Sequence, residues 1–294
     1  METPLPENPT TAVEELVNLL NMEQVGPDRF EASCAVGDRS PRTFGGQTVA
    51  LALVAAQRAG PEGMTTHALH ASFLRPGDPR QPVDLEVTRP FEGRSFAHRA
   101  VVAAQGGVPI LHLAASFHRS EDGFAHAPAM PDVPGPEASS DLKAQAAAGK
   151  SGRPPVALLS RLNAFDVRVA AVRTDTPPSQ AFWFRLAAPL PVPELAEAVL
   201  AFASDFALIT TAVLPHAVSY FSPALQTASL THAIFFHERP PVSDWMLYAM
   251  DSPWAGKARG LARGSIFGRD GRLLASVAQE GLIRRRTPDA SRAR

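Results

Sequence analysis

Asp205 is the only charged residue between Glu197 and His216, in a stretch, AFASDFALIT, that otherwise reads as core. An unpaired carboxylate is costly in an apolar interior, so such a group sits at a solvated edge, finds a partner or is used in chemistry. On a helical wheel it lies near Glu194 and Glu197, which fits a solvated edge. The other positions on its side toward the helix end, Ala198, Ala201 and Leu208, are apolar, which does not. Histidine is the rival proton acceptor because it titrates near neutrality, and His67 and His232 both fall on strand-like runs where such side chains are usually packed and hydrogen-bonded.

Other chemistries find little support. His67 and His70 form an H-x-x-H, but on a strand residues three apart point to opposite faces, so the pair cannot hold one metal ion. The chain has neither G-x-G-x-x-G nor a P-loop, so neither a nucleotide-fold cofactor nor a metal is expected from these motifs. Ser140 to Lys143 spells S-x-x-K without the companion motifs of that nucleophile pattern, and GSIFG at 264–268 lacks the spacing of a nucleophile elbow. Cys34 has no neighbouring base to activate it.

The elements that must position Asp205 can be read from periodicity. A first helix is expected from Thr11 to Met22, with Val13, Leu16, Val17 and Leu20 on one face behind a threonine cap. A second opens at Gly45-Gly46 and runs to about Ala59; it is apolar nearly all round, so it must be enclosed. Four strand-like runs follow: THALHASFLR, PVDLEVTRPF, FAHRAVVAAQ and VPILHLAASFHR, the last two joined at Gly106-Gly107. Residues 120–155, with six prolines and no apolar periodicity, read as a linker. The plan then repeats, with strands FDVRVAAV and AFWFRLAA, a helix from Pro193 to about Thr211, and more strands to Arg285. Thr66-His67-Ala68-Leu69 before Arg75-Pro76 echoes Thr231-His232-Ala233-Ile234 before Arg239-Pro240, a repeat of about 165 residues. The expected domains are 1–118, a linker at 119–160, and 161–294.

Composition narrows the class. A chain of 294 residues that is 45% hydrophobic can bury a large core. Its longest apolar stretch, 198–214, is interrupted by Asp205 and ended by Pro215, too short and broken to span a bilayer, so no membrane is expected. Twenty-eight basic against 29 acidic residues leave no positive excess to track a polyanion, so nucleic acid is not an expected partner. A single cysteine suits a reducing compartment, and a cytoplasmic location is expected.

FGGQTVALALVAAQ, SFLRPGDPRQP and GRSFAHRAV resemble the N-terminal half of the acyl-CoA thioesterase II family. SDFALI and the long run from Asp244 to Arg284 resemble its C-terminal half, so the likeness covers about 13–118 and 160–286. The resemblance implies an α+β double hotdog, two tandem units each with a long helix wrapped by a curved antiparallel sheet. It implies hydrolysis of acyl-CoA to free fatty acid and CoA without a metal or organic cofactor, a setting in lipid metabolism, and a homo-oligomer. The family's catalytic set carries over as Asp205 on the second helix, Ser229 on the following strand and Gln279 on the last strand. Such a trio holds a water beside the thioester carbonyl and takes its proton. Gly45 and Gly46 are first a device for close approach, and are also candidate substrate contacts.

Two departures stand beside Ser229. The family's Asp-His-Ser reads Thr231-His232-Ala233 here, and its Trp-Phe-His-x-Pro reads FFHERPP. The alternatives are a non-catalytic acyl-CoA binding protein whose altered segment has lost turnover, and a hotdog hydratase or dehydratase, which needs a histidine and an acid facing one substrate.

Overall fold

The computed structural model describes residues 8–33, 42–147 and 162–286. Cys34 and the last part of the expected linker lie outside the described residues. Helix α1 (Pro9–Leu20) starts two residues before the periodicity suggests, because Asn8 and not a threonine caps it, accepting from the Thr10 N–H. Its buried face, Ala12, Val13, Leu16 and Leu20, is the one the spacing marks.

Two helices form the centre. Helix α2 (Gly45–Arg58) is buried from Gly46 to Ala56, as its all-round apolarity demands. It packs against the shorter α4 (Ala196–Ser204). The expected helix from Pro193 to Thr211 is in fact three pieces: a 3₁₀ turn (Pro193–Leu195), α4, and a second 3₁₀ turn (Ile209–Val213). The break follows from the backbone at Ala207, whose φ of 57° is left-handed and incompatible with a continuing helix. Asp205 therefore caps the C-terminus of α4 and is not on a helix face. The remaining helix, α3 (Leu142–Ala147), starts where Asp141 accepts from the Ala144 N–H.

Around these helices runs one antiparallel sheet, in the order β1-β2-β4-β5-β6-β3-β10-β13-β12-β11-β9-β8-β7. The first half supplies β3 (Thr65–Phe73), β4 (Val83–Glu92), β5 (Phe96–Gln105) and β6 (Val108–His118), with β1 (Glu23–Gly26) and β2 (Arg29–Ala32) at its edge. The second supplies β8 (Phe165–Arg173), β9 (Ser179–Leu186), β10 (Leu225–Phe236), β11 (Met246–Gly256), β12 (Arg259–Gly268) and β13 (Leu273–Arg285), with β7 (Ser140–Asp141) at the other edge. The halves join through β3 and β10, paired from Thr231↔Ser72 to Phe235↔Ala68. This is the double hotdog, with both helices enclosed by one continuous sheet.

The proline-rich segment is not a free tether over its described part. Met130 and Val133 pack on Trp183, Trp245 and Phe267 on the outer surface of the second half, and the Trp183 indole donates to Pro134 O at 2.8 Å. Short side chains and prolines suit a strap whose backbone is held by one buried tryptophan.

The helices approach closely where α2 begins. A Cβ built on Gly46 would lie 2.4 Å from Phe202 O, a backbone atom that cannot swing away. Gly46→Ala should therefore force the helices apart and cost about 1–3 kcal/mol, lowering the melting temperature by several degrees. Gly123→Ala, with nothing within 4 Å of the new methyl, should leave it unchanged; calorimetry of both variants checks the pair.

Candidate active site

The three predicted residues come together from three elements. Asp205 ends α4, Ser229 lies on β10 and Gln279 on β13. The Gln279 Nε2 donates to Asp205 Oδ1 at 2.6 Å and to Ser229 Oγ at 3.0 Å. A carboxylate only accepts, so the Asp205 contact fixes the orientation of the amide. Ser229 Oγ accepts from Gln279 and keeps its own proton to give elsewhere. Gln279 is 1% exposed, and its Oε1 has no hydrogen-bond partner among the described residues.

The third contact is a main-chain one. The Gly46 N–H donates to Asp205 Oδ2 at 2.8 Å, and a Cβ on Gly45 would lie 2.8 Å from that oxygen. Gly45 and Gly46 thus bring the N-terminus of α2, its positive end, against the carboxylate. Neither helix alone makes this site, because Asp205 and Gly46 are 159 residues apart. Phe44, Phe202, Phe206 and Phe165 pack ring to ring around the junction and wall it with apolar surface.

A β-bulge puts Ser229 in place. The pairing of β10 with β13 shifts between Ser229↔Gly281 and Thr231↔Glu280. Before the shift the odd positions Leu225 and Ser229 face inward; after it the even positions His232, Ile234 and Phe236 do. Both Ser229 and His232 can therefore face the helices, which strict alternation forbids.

His232 is not a general base in this state. It is 1% exposed, and burial lowers its pKa to about 4. Its Nε2 lies 2.9 Å from Ser204 Oγ, whose proton goes to Ala201 O at 2.8 Å. The ring must then donate from Nε2, leaving Nδ1 as an acceptor without a partner among the described residues. His232 ties β10 to the last turn of α4, one residue before Asp205. His67 faces Ser116, Phe96 and His118, while His70 faces Phe235.

Sequence reasoning missed Tyr248. Its hydroxyl donates to Ser204 O at 2.8 Å, fixing the carbonyl just before Asp205. Burial, with the charge of Asp205, holds the phenol well above its ordinary pKa, so it remains a donor. The signal is an inward tyrosine on β11 beside Gly264 of β12, where any side chain would strike the ring at 2.2 Å.

Two cavities are prominent, and neither is lined by the trio. A polar groove of about 610 Å³ between Arg168, Arg185, Trp245 and Arg272 lies near the strap's docking surface. A smaller one of about 190 Å³ lies beyond the second 3₁₀ turn, between Val213, Leu225, Arg259 and Ile283, on the strands that carry Ser229 and Gln279.

Comparison with known proteins points to one family over both halves of the chain. The family described as acyl-CoA thioesterase matches residues 166–282, and the acyl-CoA thioesterase N-terminal domain matches 36–118. Acyl-CoA thioesterase 2 of Haemophilus influenzae is 36% identical over 92% of this chain and 96% of its own length. Acyl-coenzyme A thioesterase 8 of Rattus norvegicus is also 36% identical, over 92% and 88% respectively. The crystal structure of an acyl-CoA thioesterase II, TesB2, from Mycobacterium marinum superposes with a TM-score of 0.78 at 33% identity, covering 95% of this chain and 99% of that one.

A neutral buried His232 makes stability depend on pH. Between about pH 6.5 and 4 the unfolded chain takes up a proton on this ring that the folded chain refuses, so its contribution to stability is lost as pH falls. The full loss is ~3 kcal/mol. Denaturant midpoints taken between pH 7 and 4.5 should fall more steeply for the parent than for His232→Asn; equal slopes would show that the ring titrates normally.

Proposed function

The chain belongs to the acyl-CoA thioesterase family, and we propose that its Asp205, Ser229 and Gln279 activate the water that hydrolyses the acyl-CoA thioester. The observation that carries this reading is the single Gln279 nitrogen bonded to both Asp205 and Ser229, with Gly46 on the other carboxylate oxygen. It fixes the carboxylate beside the serine and, because Ser229 only accepts from Gln279, frees the serine proton.

The reaction follows from those roles. A water beside Asp205 gives a proton to the carboxylate while its oxygen adds to the thioester carbonyl carbon. Ser229 donates its free proton in a hydrogen bond to the water or the developing oxyanion. The adduct collapses, the C–S bond breaks, and the sulfur leaves and recovers a proton from Asp205. No covalent enzyme intermediate is needed, in keeping with a site that has no strong nucleophile. The Gly46 N–H, being engaged by Asp205, is a positioning group in this state and not the oxyanion donor.

The chemistry favours hydrolysis over hydration or dehydration. A hydratase needs a histidine and an acid facing one substrate, whereas His232 is turned to Ser204 and buried. The Thr231 and Ala233 departures spare the trio: in β10 their exposure alternates with His232, placing them on the outer side. We also read the chain as a homo-oligomer, because an edge-to-face pair, His70 with Phe235, is exposed where the halves join, and as cytoplasmic, because a single cysteine suits a reducing compartment. Sedimentation giving only monomer at micromolar concentration overturns the oligomer.

Thiol release from acyl-CoAs of short to long chain tests the mechanism. Asp205→Asn should cut the rate by about a hundredfold, the scale of a general base, with the melting temperature retained. Gln279→Leu should lose a comparable factor, because Asp205 and Ser229 both lose their shared donor. A parent protein that binds acyl-CoA without releasing thiol would favour the non-catalytic reading, and undiminished release by Asp205→Asn would move the site elsewhere.

A further inference from the structure

The helix pair has two ends, and the end away from Asp205 also carries an acid, an amide and a hydroxyl. Gln57 Nε2, in the last turn of α2, donates to Glu197 Oε2 at 2.5 Å and to Thr66 Oγ1 at 3.3 Å. Glu197 is in the first turn of α4, and Thr66 is on β3. The active site has the same wiring, with one amide nitrogen bridging a carboxylate and a strand hydroxyl.

The two bulges place the hydroxyls at like positions in their strands, in a frame two residues off the Thr66/Thr231 sequence echo. Ser229 begins the bulge of β10 and pairs with Gly281, two residues after Gln279. Thr66 begins a bulge of β3 and pairs with Phe117, two residues after Ala115. Asp205 caps α4 as Ala59 caps α2. The counterparts of Asp205 and Gln279 are thus Ala59 and Ala115, which carry no functional group. Glu197 and Gln57 restore an acid and an amide to the strand hydroxyl, this time from the two helices.

The acid is half-buried in both sites, while the amide and the hydroxyl exchange burial. Glu197 and Gln57 are half-buried and Thr66 is 4% exposed, against half-buried Asp205 and Ser229 and a buried Gln279. Burial raises the Glu197 carboxyl to about 6, while the charge of Arg239 and bonds from Gln57 and Thr66 draw it down. Near neutral pH it is ionised and more basic than an ordinary carboxylate. Arg239, which donates to Pro193 O at 2.8 Å, provides a cation for a phosphate-bearing thioester.

We propose that Glu197, Gln57 and Thr66 form a second water-activating site, which hydrolyses thioesters without Asp205. This rests on the reading of the Asp205 site, since the same groups are assigned the same reaction. Glu197 takes a proton from water as the oxygen adds to the carbonyl carbon. The adduct expels the sulfur, which recovers that proton. One water and one thioester give one carboxylic acid and one thiol.

The test is thiol release from a panel of acyl-CoAs by Asp205→Asn, followed from pH 5 to 8. A residual rate above the spontaneous one is expected, rising with pH through about 6. Adding Glu197→Gln should reduce that residue at least tenfold and remove the rise. Adding Gln57→Met instead gives a second route to the same loss should the first double variant fail to fold. Residual release at the spontaneous rate, or a residue indifferent to both substitutions in folded protein, overturns the second site. A parent that releases no thiol sinks the reading of the Asp205 site itself, so the two failures are distinct.

Discussion

The bond from the Gly46 N–H to Asp205 is the contact on which the architecture turns. It connects the start of one central helix to the end of the other, and so the first half of the chain to the second. A carboxylate at the C-terminus of α4 faces an unfavourable end of that helix's dipole; the N-terminus of α2 offsets it. The bond requires the helices to run antiparallel at close range, and only a residue without a side chain lets Gly46 pass Phe202 O. Gln279 then fills the other oxygen, and Tyr248 and His232 fix the last turn of α4 from β11 and β10. One carboxylate oxygen is held from α2 and the other from β13, while the residue before it is fixed from β10 and β11.

The sheet performs that task through a defect. A regular β10 would aim either Ser229 or His232 at the helices, and the other at solvent. The bulge at Leu230 gives both, at the cost of one irregular pairing. Because β10 also carries the junction with β3, the strand that presents the hydroxyl is the one that joins the two units. The hydroxyl of the site and the closure of the double sheet thus rest on one strand.

How much of this can be read from residues depends on range. The enclosed character of α2 is legible because apolarity all round has one meaning, and the strand runs are legible because Gly and Pro punctuate them. Asp205 stands out for its chemistry, but periodicity extends its helix through to Thr211, since no Gly or Pro announces the left-handed turn at Ala207. Ser229 is invisible without the family likeness, for the bulge depends on pairing with a strand fifty residues away. The partnership of Gly46 with Asp205 spans the whole repeat and leaves only the trace of two adjacent glycines. The strap is read as loose because its prolines carry no period; its anchor is an indole in another element.

The repeat also explains why the two ends of the helix pair differ. An acid in place of Ala59 would face the start of α4 as Asp205 faces the start of α2. That start cannot answer in kind, because it is preceded by a 3₁₀ turn opening at Pro193, which has no N–H, and has no glycine pair to let a backbone draw near. A carboxylate at that end must instead sit a turn further in and take its donor from a side chain. Glu197 and Gln57 are in those places. Duplication provides two hydroxyl-bearing bulges and two helix ends, and the local chemistry of each helix start decides which way an acid can be brought to them.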